Sequence, residues 1–401
     1  MARSEVRTTR ITWGIFYAFL YFYRCAYSVL GEVLVMRVTP ISDTRAYQTG
    51  TFEQAEYWET FGVDSLTEWG QTILATGITA WIGSVFGRVF GGNPILINIG
   101  FQTIAFVGLV RLLSAVSGPK RKYAAALVLL PSFSLWTSIA SKEAIVTMAL
   151  TILSAYIVKM YDHRGRLGPM ELFAAVVLYV FKAHYLAAIA YFWTVTVVGR
   201  FFRQRAAFAL VAGLASLTVL YVVRDKVDRM ADSVQTLILT GTNFGRSTRA
   251  ELFFVDPYDV FWRAPEGMLR AFFGPSLEQV GLSPLHMIAF LESSVLIAVL
   301  GFLALRELPR LPAYSVIVAS FVLFWIGFVN YPVGVMNPGS AIRYRSGWVI
   351  LVIVVCATFL SRQVYIRWVQ TSRARSSSRD KTPVLEHVSP GSPQILKPEH
   401  G

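Results

Sequence analysis

MELFAAVVLYVFKAHYLAAIAYFWTVTVV (Met170–Val198) is one apolar run broken at its middle by Lys182 and His184. About 20 mainly apolar residues cross the roughly 30 Å of bilayer hydrocarbon. The run is therefore too long for one span and short for two, and how it is threaded decides the topology of the whole chain. The surroundings favour a membrane. Of 401 residues, 54% are hydrophobic and only 15% charged, where a soluble chain carries about a quarter charged residues. The net charge of +13 is spread in short clusters between apolar runs. That is a topology signal and not a nucleic-acid-binding stripe.

Outward from Met170–Val198, the strong span candidates are Ile11–Met36, Asn93–Leu113, Ala124–Ala140, Ala144–Tyr161, Ala206–Val223, Pro284–Leu305, Leu311–Val335 and Gly347–Val364. Thr72–Phe90 is long enough to span but is interrupted by Gly77, Gly83, Gly87 and Arg88. Basic residues collect in short cytoplasmic loops. The basic clusters lie at Arg3/Arg7/Arg10, Arg111/Lys120/Arg121/Lys122, Lys159/Arg164/Arg166, Arg200/Arg203/Arg205, Arg306/Arg310 and after Val364. All fall on one side only if Thr72–Phe90 does not cross and Met170–Val198 enters and returns as a hairpin.

The expected fold is thus all-α: a polytopic integral membrane helical bundle of about ten membrane segments, some short or re-entrant, with both termini cytoplasmic. Residues 1–10 form a cytoplasmic N-terminus, 11–366 the transmembrane domain, and 367–401 a polar, Pro/Ser-rich tail expected to be disordered and cytoplasmic. Two large outer loops follow, 37–92 and 224–283. Loops of that length are uncommon unless functional, which places recognition or chemistry on the outer face. The two cysteines, Cys25 and Cys356, both lie in apolar runs and offer neither a disulfide framework nor a metal site.

Charge at membrane depth is expensive and marks function by default. Arg24 falls in the first span, Lys142 and Glu143 at the turn after Ala140, and Lys182 and His184 at the hairpin tip. NPGSAIRYRSGW (Asn337–Trp348) opens the last span from the outside with Arg343 and Arg345 flanking Tyr344. Arginine and a helix N-terminus both suit a phosphate, although pairing with acids of the outer loops explains the two arginines as well. Lys142–Glu143 equally suits a tight turn capped by Ser141, Lys182 a snorkelling side chain, and His184 a satisfied interfacial histidine. Asp43, in TPISDTRAYQ, is tethered close to the first span. It is suited to act as a general base toward a hydroxyl or, equally, as the N-cap of a following polar helix. No metal-ligand spacing, phosphate-cradling Gly loop or nucleophile elbow occurs.

SDTRAY (Ser42–Tyr47), GGNPILINIGF (Gly91–Phe101), LLPSFSLWTSIASKEAI (Leu129–Ile145), FKAHY (Phe181–Tyr185), FWRAPEGMLRAFFGP (Phe261–Pro275) and NPGSAIRYR (Asn337–Arg345) follow one another in that order. This order resembles the polytopic GT-C-type glycosyltransferases and the membrane proteins of bacterial exopolysaccharide and O-antigen assembly. The resemblance implies GT-C-like juxtamembrane helices in the first outer loop, a plasma (inner) membrane location, and chemistry on a polyprenyl-phosphate-linked sugar. It implies Asp43 as the catalytic base and Lys142, Lys182, His184, Arg343 and Arg345 at the donor phosphate, with Glu143 orienting Lys142. Trp262 and Tyr344 would stack on sugars. Membrane lipids and other polysaccharide-assembly proteins are the expected partners, nucleic acid is not, and no cofactor is evident, a divalent cation being compatible but not indicated. A flippase or transporter for lipid-linked glycans, or a non-catalytic export subunit, is the competing class.

Overall fold

The structure, a computed structural model, describes residues 2–36, 42–50, 66–118, 120–162, 165–240, 249, 251–281 and 284–358. All of these belong to one compact unit, Met1–Ser361. The tail 367–401 and the acidic positions Glu53, Glu56, Glu59 and Asp64 lie outside the described residues. Every regular element among the described residues is helical.

In chain order these are α1 (Ala2–Leu30), α2 (Ser42–Thr49), α3 (Leu66–Val89), α4 (Pro94–Ala115), α5 (Lys120–Val128), α6 (Pro131–Trp136), α7 (Lys142–Tyr161) and α8 (Pro169–Lys182). They continue with α9 (Tyr185–Trp193), α10 (Arg205–Val222), α11 (Arg224–Thr240), α12 (Asp259–Trp262), α13 (Ala264–Phe273), α14 (Leu277–Val280), α15 (Pro284–Glu307), α16 (Ala313–Met336) and α17 (Pro338–Thr358). Among the described residues six helices are long and apolar enough to cross a membrane: α4, α7, α10, α16, most of α15 and most of α17. The chain is a multi-pass membrane protein.

Local sequence sets where these helices start. Asn93 precedes Pro94, and its Oδ1 accepts from the Ile95 and Leu96 N–H groups at 3.0 and 3.2 Å. Asn337 precedes Pro338 in the same way, accepting from Gly339 and Ser340 at 2.9 and 3.2 Å. An Asn cap with proline in the first turn satisfies orphan donors and supplies a helical φ where no N–H is needed.

The expected span Ala124–Ala140 is not one helix. Pro131 has no N–H to continue the ladder and its ring disfavours a helical residue before it, so α5 ends at Val128 and α6 begins at Pro131. A second break, Thr137–Ser141, separates α6 from α7 and is fully buried. Irregular backbone is tolerated at membrane depth only where protein groups satisfy it. Here Arg24 Nη2 donates to the Thr137 carbonyl at 2.7 Å and Ser28 Oγ to the Ser138 carbonyl at 2.7 Å. Asn98 Oδ1 accepts from the Ala140 N–H at 2.8 Å. The Arg24 that stands out in the first span is therefore a stitch between α1 and this break.

α7 is the central helix, with 78% of its span buried, and it packs against α4, α8 and α17. A Cβ on Gly108 of α4 would meet Thr151 Oγ1 at 2.1 Å and the Met148 backbone at 2.8 Å, so α4 and α7 approach through a small residue, as membrane helices do. α10 and α15 bury only 17% and 24% of their spans and face outward. The bundle has two polar ends. At one, Arg111 pairs with Glu171 and Arg121 stacks 3.8 Å over Trp13, joining the end of α4 and the starts of α5, α8 and α1. At the other lie the end of α8 and the starts of α2, α7 and α17.

Candidate functional site

Four elements distant in sequence bring their charges together at that second end. Arg343 of α17 is the hub. Its Nη1 lies 3.2 Å from Asp43 Oδ2 and its Nε 2.8 Å from Glu143 Oε2. Lys182, the last residue of α8, sits 3.7 Å over the Tyr344 ring, a cation–π contact strengthened by partial desolvation. Lys142 lies within Coulombic reach of Asp43, Arg343, Lys182 and Glu143. Three cations thus face two carboxylates at the N-terminus of α7, where the helix dipole and free N–H groups themselves favour an anion.

Burial is graded through the group: the side chains of Glu143, Arg343 and Asp43 are 4%, 16% and 46% exposed. Glu143 is the inner counter-ion and Asp43 the accessible carboxylate. Ser141 caps α7, its Oγ accepting from the Ala144 N–H at 3.3 Å, as the sequence predicts. Asp43 is not a cap; it lies inside the first turn of α2.

What holds α2 in place is a close backbone approach. A Cβ on Gly83 of α3 would fall 1.7 Å from the Tyr47 carbonyl oxygen. Tyr47 is buried beneath the site, and burial holds its phenol well above the usual range, with Asp43 adding to the shift. The α2 helix is also pinned through polar contacts. Gln48 Nε2 donates to Glu32 Oε2 at 2.8 Å and to Asn98 Oδ1 at 3.1 Å, and Arg45 pairs with Glu32 at 2.8 Å. On the far side Tyr185 donates to Asn330 Oδ1 at 2.8 Å and meets the bare face of Gly347, so α9 fixes the α17 backbone next to Tyr344.

Asp43, Lys142, Glu143, Lys182, Arg343 and Tyr344 are thus brought together. Three sequence-predicted positions are not. Arg345 turns away, its side chain 2% exposed and paired with Glu292 of α15 at 2.7 Å. It also donates to Ser132 Oγ at 2.7 Å and to Ser293 Oγ. His184 is exposed and meets Tyr185 edge-on at 4.8 Å. Trp262 is 81% exposed on α12, with no described contact to the Asp43 group. Glu143 salt-bridges Arg343 at 2.8 Å and lies within Coulombic reach of Lys142. Sequence reading passed over Glu292 and Glu32, although each is a lone acid inside an apolar run, the signal that marks intramembrane partners. Among the described residues no group of His, Cys, Asp and Glu is arranged to hold a metal.

The fold and the site define a multi-pass helical membrane protein with a partly open, net-cationic charge cluster at one end of its bundle. No protein-family model, characterised protein or solved structure matches the chain.

Proposed function

We propose that this protein is a membrane glycosyltransferase or polysaccharide polymerase. It takes a sugar or glycan from a polyprenyl-phosphate carrier at the outer face of the plasma membrane, for cell-surface polysaccharide. The observation that carries the reading is the convergence of Asp43, Arg343, Lys142 and Lys182 from four separate elements around one half-exposed carboxylate. Such a group suits a reaction that needs one base and develops charge on a phosphate. As the acceptor hydroxyl oxygen attacks the anomeric carbon, Asp43 takes its proton. The bond from the anomeric carbon to the carrier phosphate oxygen breaks, and its electron pair leaves with the phosphate. Lys142, Lys182 and Arg343 stabilise that charge, and Glu143 fixes Arg343, which is electrostatic catalysis by preorganised groups. A divalent cation, if one were bound with the carrier phosphate, would add to the charge stabilisation that Lys142, Lys182 and Arg343 supply.

About ten membrane segments are counted by adding α1, the α5–α6 pair, α8 and α9 to the long apolar helices, with both termini cytoplasmic. At 14 residues, α8 is roughly 21 Å long and falls short of the bilayer, which supports a re-entrant hairpin with Lys182 at its tip. The Arg111–Glu171 pair at the opposite end supports the same threading, since it sets the start of α8 beside the end of α4.

The test is Asp43→Asn in a host whose own copy is deleted. The variant should reach the membrane in normal amount, with surface polymer lost and the lipid-linked precursor accumulated. Full polymer from Asp43→Asn contradicts the reading. Precursor trapped on the inner leaflet, with transfer from supplied outer donor never observed, assigns the chain to transport instead.

A further inference from the structure

Away from the Asp43 cluster, in the segment between α10 and α15, lies a cavity of about 150 Å³ walled by Arg249, Arg263 and Arg270 with Glu251, Glu266 and Phe253. That is space for about ten waters, more than a bare oxyanion needs and of the order of one sugar ring with its charged substituent. The cations outnumber the acids. Arg270 is paired with Glu266 at 2.6 Å. Arg263 donates to the Phe253 carbonyl at 2.6 Å, and Arg249 to the Val335 and Gly274 carbonyls at 2.5 and 2.6 Å. Carbonyls orient these two guanidinium groups, with Glu251 within Coulombic reach of Arg249 and Asp259 within reach of Arg263. Both Arg263 and Arg270 lie against the Phe253 ring, at 5.1 and 5.7 Å, so the cavity joins an apolar face to a cationic wall.

The cavity also adjoins the Asp43 site through the chain. Met336, in its wall, accepts the Arg249 backbone N–H at 2.9 Å. Arg343 stands about one and a half helical turns into α17, roughly 8 Å along its axis from Pro338. Trp262, one residue before Arg263, is an exposed aromatic surface of the kind that stacks on sugar rings.

We propose that this cavity is a glycan subsite for an acidic saccharide unit, its carboxylate or phosphate held by Arg263 and Arg270 while Arg249 keeps the wall in place. The saccharide rests on the glycan-transfer reading; the oxyanion chemistry of the cavity does not.

Binding is measured on the full chain in phosphatidylcholine nanodiscs with trigalacturonate, glucose 6-phosphate and maltotriose, without any transfer step. Both acidic probes should bind, more weakly as salt rises, and maltotriose should not. Arg263→Gln and Arg270→Gln should each weaken binding about tenfold, the loss of one charge-assisted contact. Glu266→Gln, which frees Arg270, should strengthen it, and a purely structural role for these residues predicts no such gain. These readouts involve binding alone and the Asp43→Asn test reads polymer alone, so the subsite and the transferase reading fail separately. Equal binding of maltotriose, or affinities unaffected by the arginine variants, overturns the proposal. So does loss of saccharide binding in phosphatidylglycerol nanodiscs, which would give the cavity to a lipid headgroup.

Discussion

Arg343 and Arg345 stand two positions apart, about 200° around a helix axis at 3.6 residues per turn. Once α17 is helical through both, they cannot share one phosphate: Arg343 joins Asp43 and Glu143, and Arg345 closes on Glu292 between α6 and α15. The motif announced two phosphate-binding arginines; the helix that carries them, not visible in the charge pattern alone, separates them. A buried ion pair is costly to break by halves and cheap to replace whole. Arg345→Leu and Glu292→Leu should each destabilise by about 3–5 kcal/mol, and the double variant should recover most of that, as read by thermal unfolding in detergent. Equal losses that add in the double variant would mean the two do not act as a pair.

At the scale of elements, the site depends on two docked pieces. One is α2, whose backbone touches Gly83 so closely that any side chain there must push it away. Gly83→Ala should insert normally yet lose polymer as Asp43→Asn does, because Asp43 moves with α2; full polymer from Gly83→Ala would show that α2 tolerates the shift. The other is the Thr137–Ser141 break that carries Lys142 and Glu143. Arg24→Leu leaves the Thr137 carbonyl without its donor, a cost of about 1–3 kcal/mol, and should lower the melting temperature in detergent without changing membrane insertion. Asn93 and Ser141 announced their helix starts, whereas the last helix, expected from Gly347, begins at Pro338 and takes in both arginines. Pro131 breaks the span that the apolar count alone sets at Ala124–Ala140. What was not legible is which α1 side chain meets which carbonyl, since those contacts join residues more than a hundred positions apart.

For the whole molecule, apolar length and charge sidedness anticipated an all-helical multi-pass bundle, while segment number depended on short helices that hydropathy alone cannot place. The Arg111–Glu171 and Arg121–Trp13 end and the Asp43–Arg343 end lie on opposite faces of the membrane in the proposed threading. With Cys25 and Cys356 replaced, a cysteine at Thr49 should react with an impermeant thiol reagent on intact cells and one at Arg203 only after permeabilisation. The reverse pattern would invert the topology and place the charge cluster in the cytoplasm.

The proposed role of Asp43 as the base of a lipid-linked glycan transfer is read out by surface polymer in a deletion host complemented with Asp43→Asn. Loss of a general base costs about 10²–10⁴-fold in rate. Polymer should fall to background, with the protein present at wild-type level and precursor accumulated; wild-type polymer from Asp43→Asn would exclude that role.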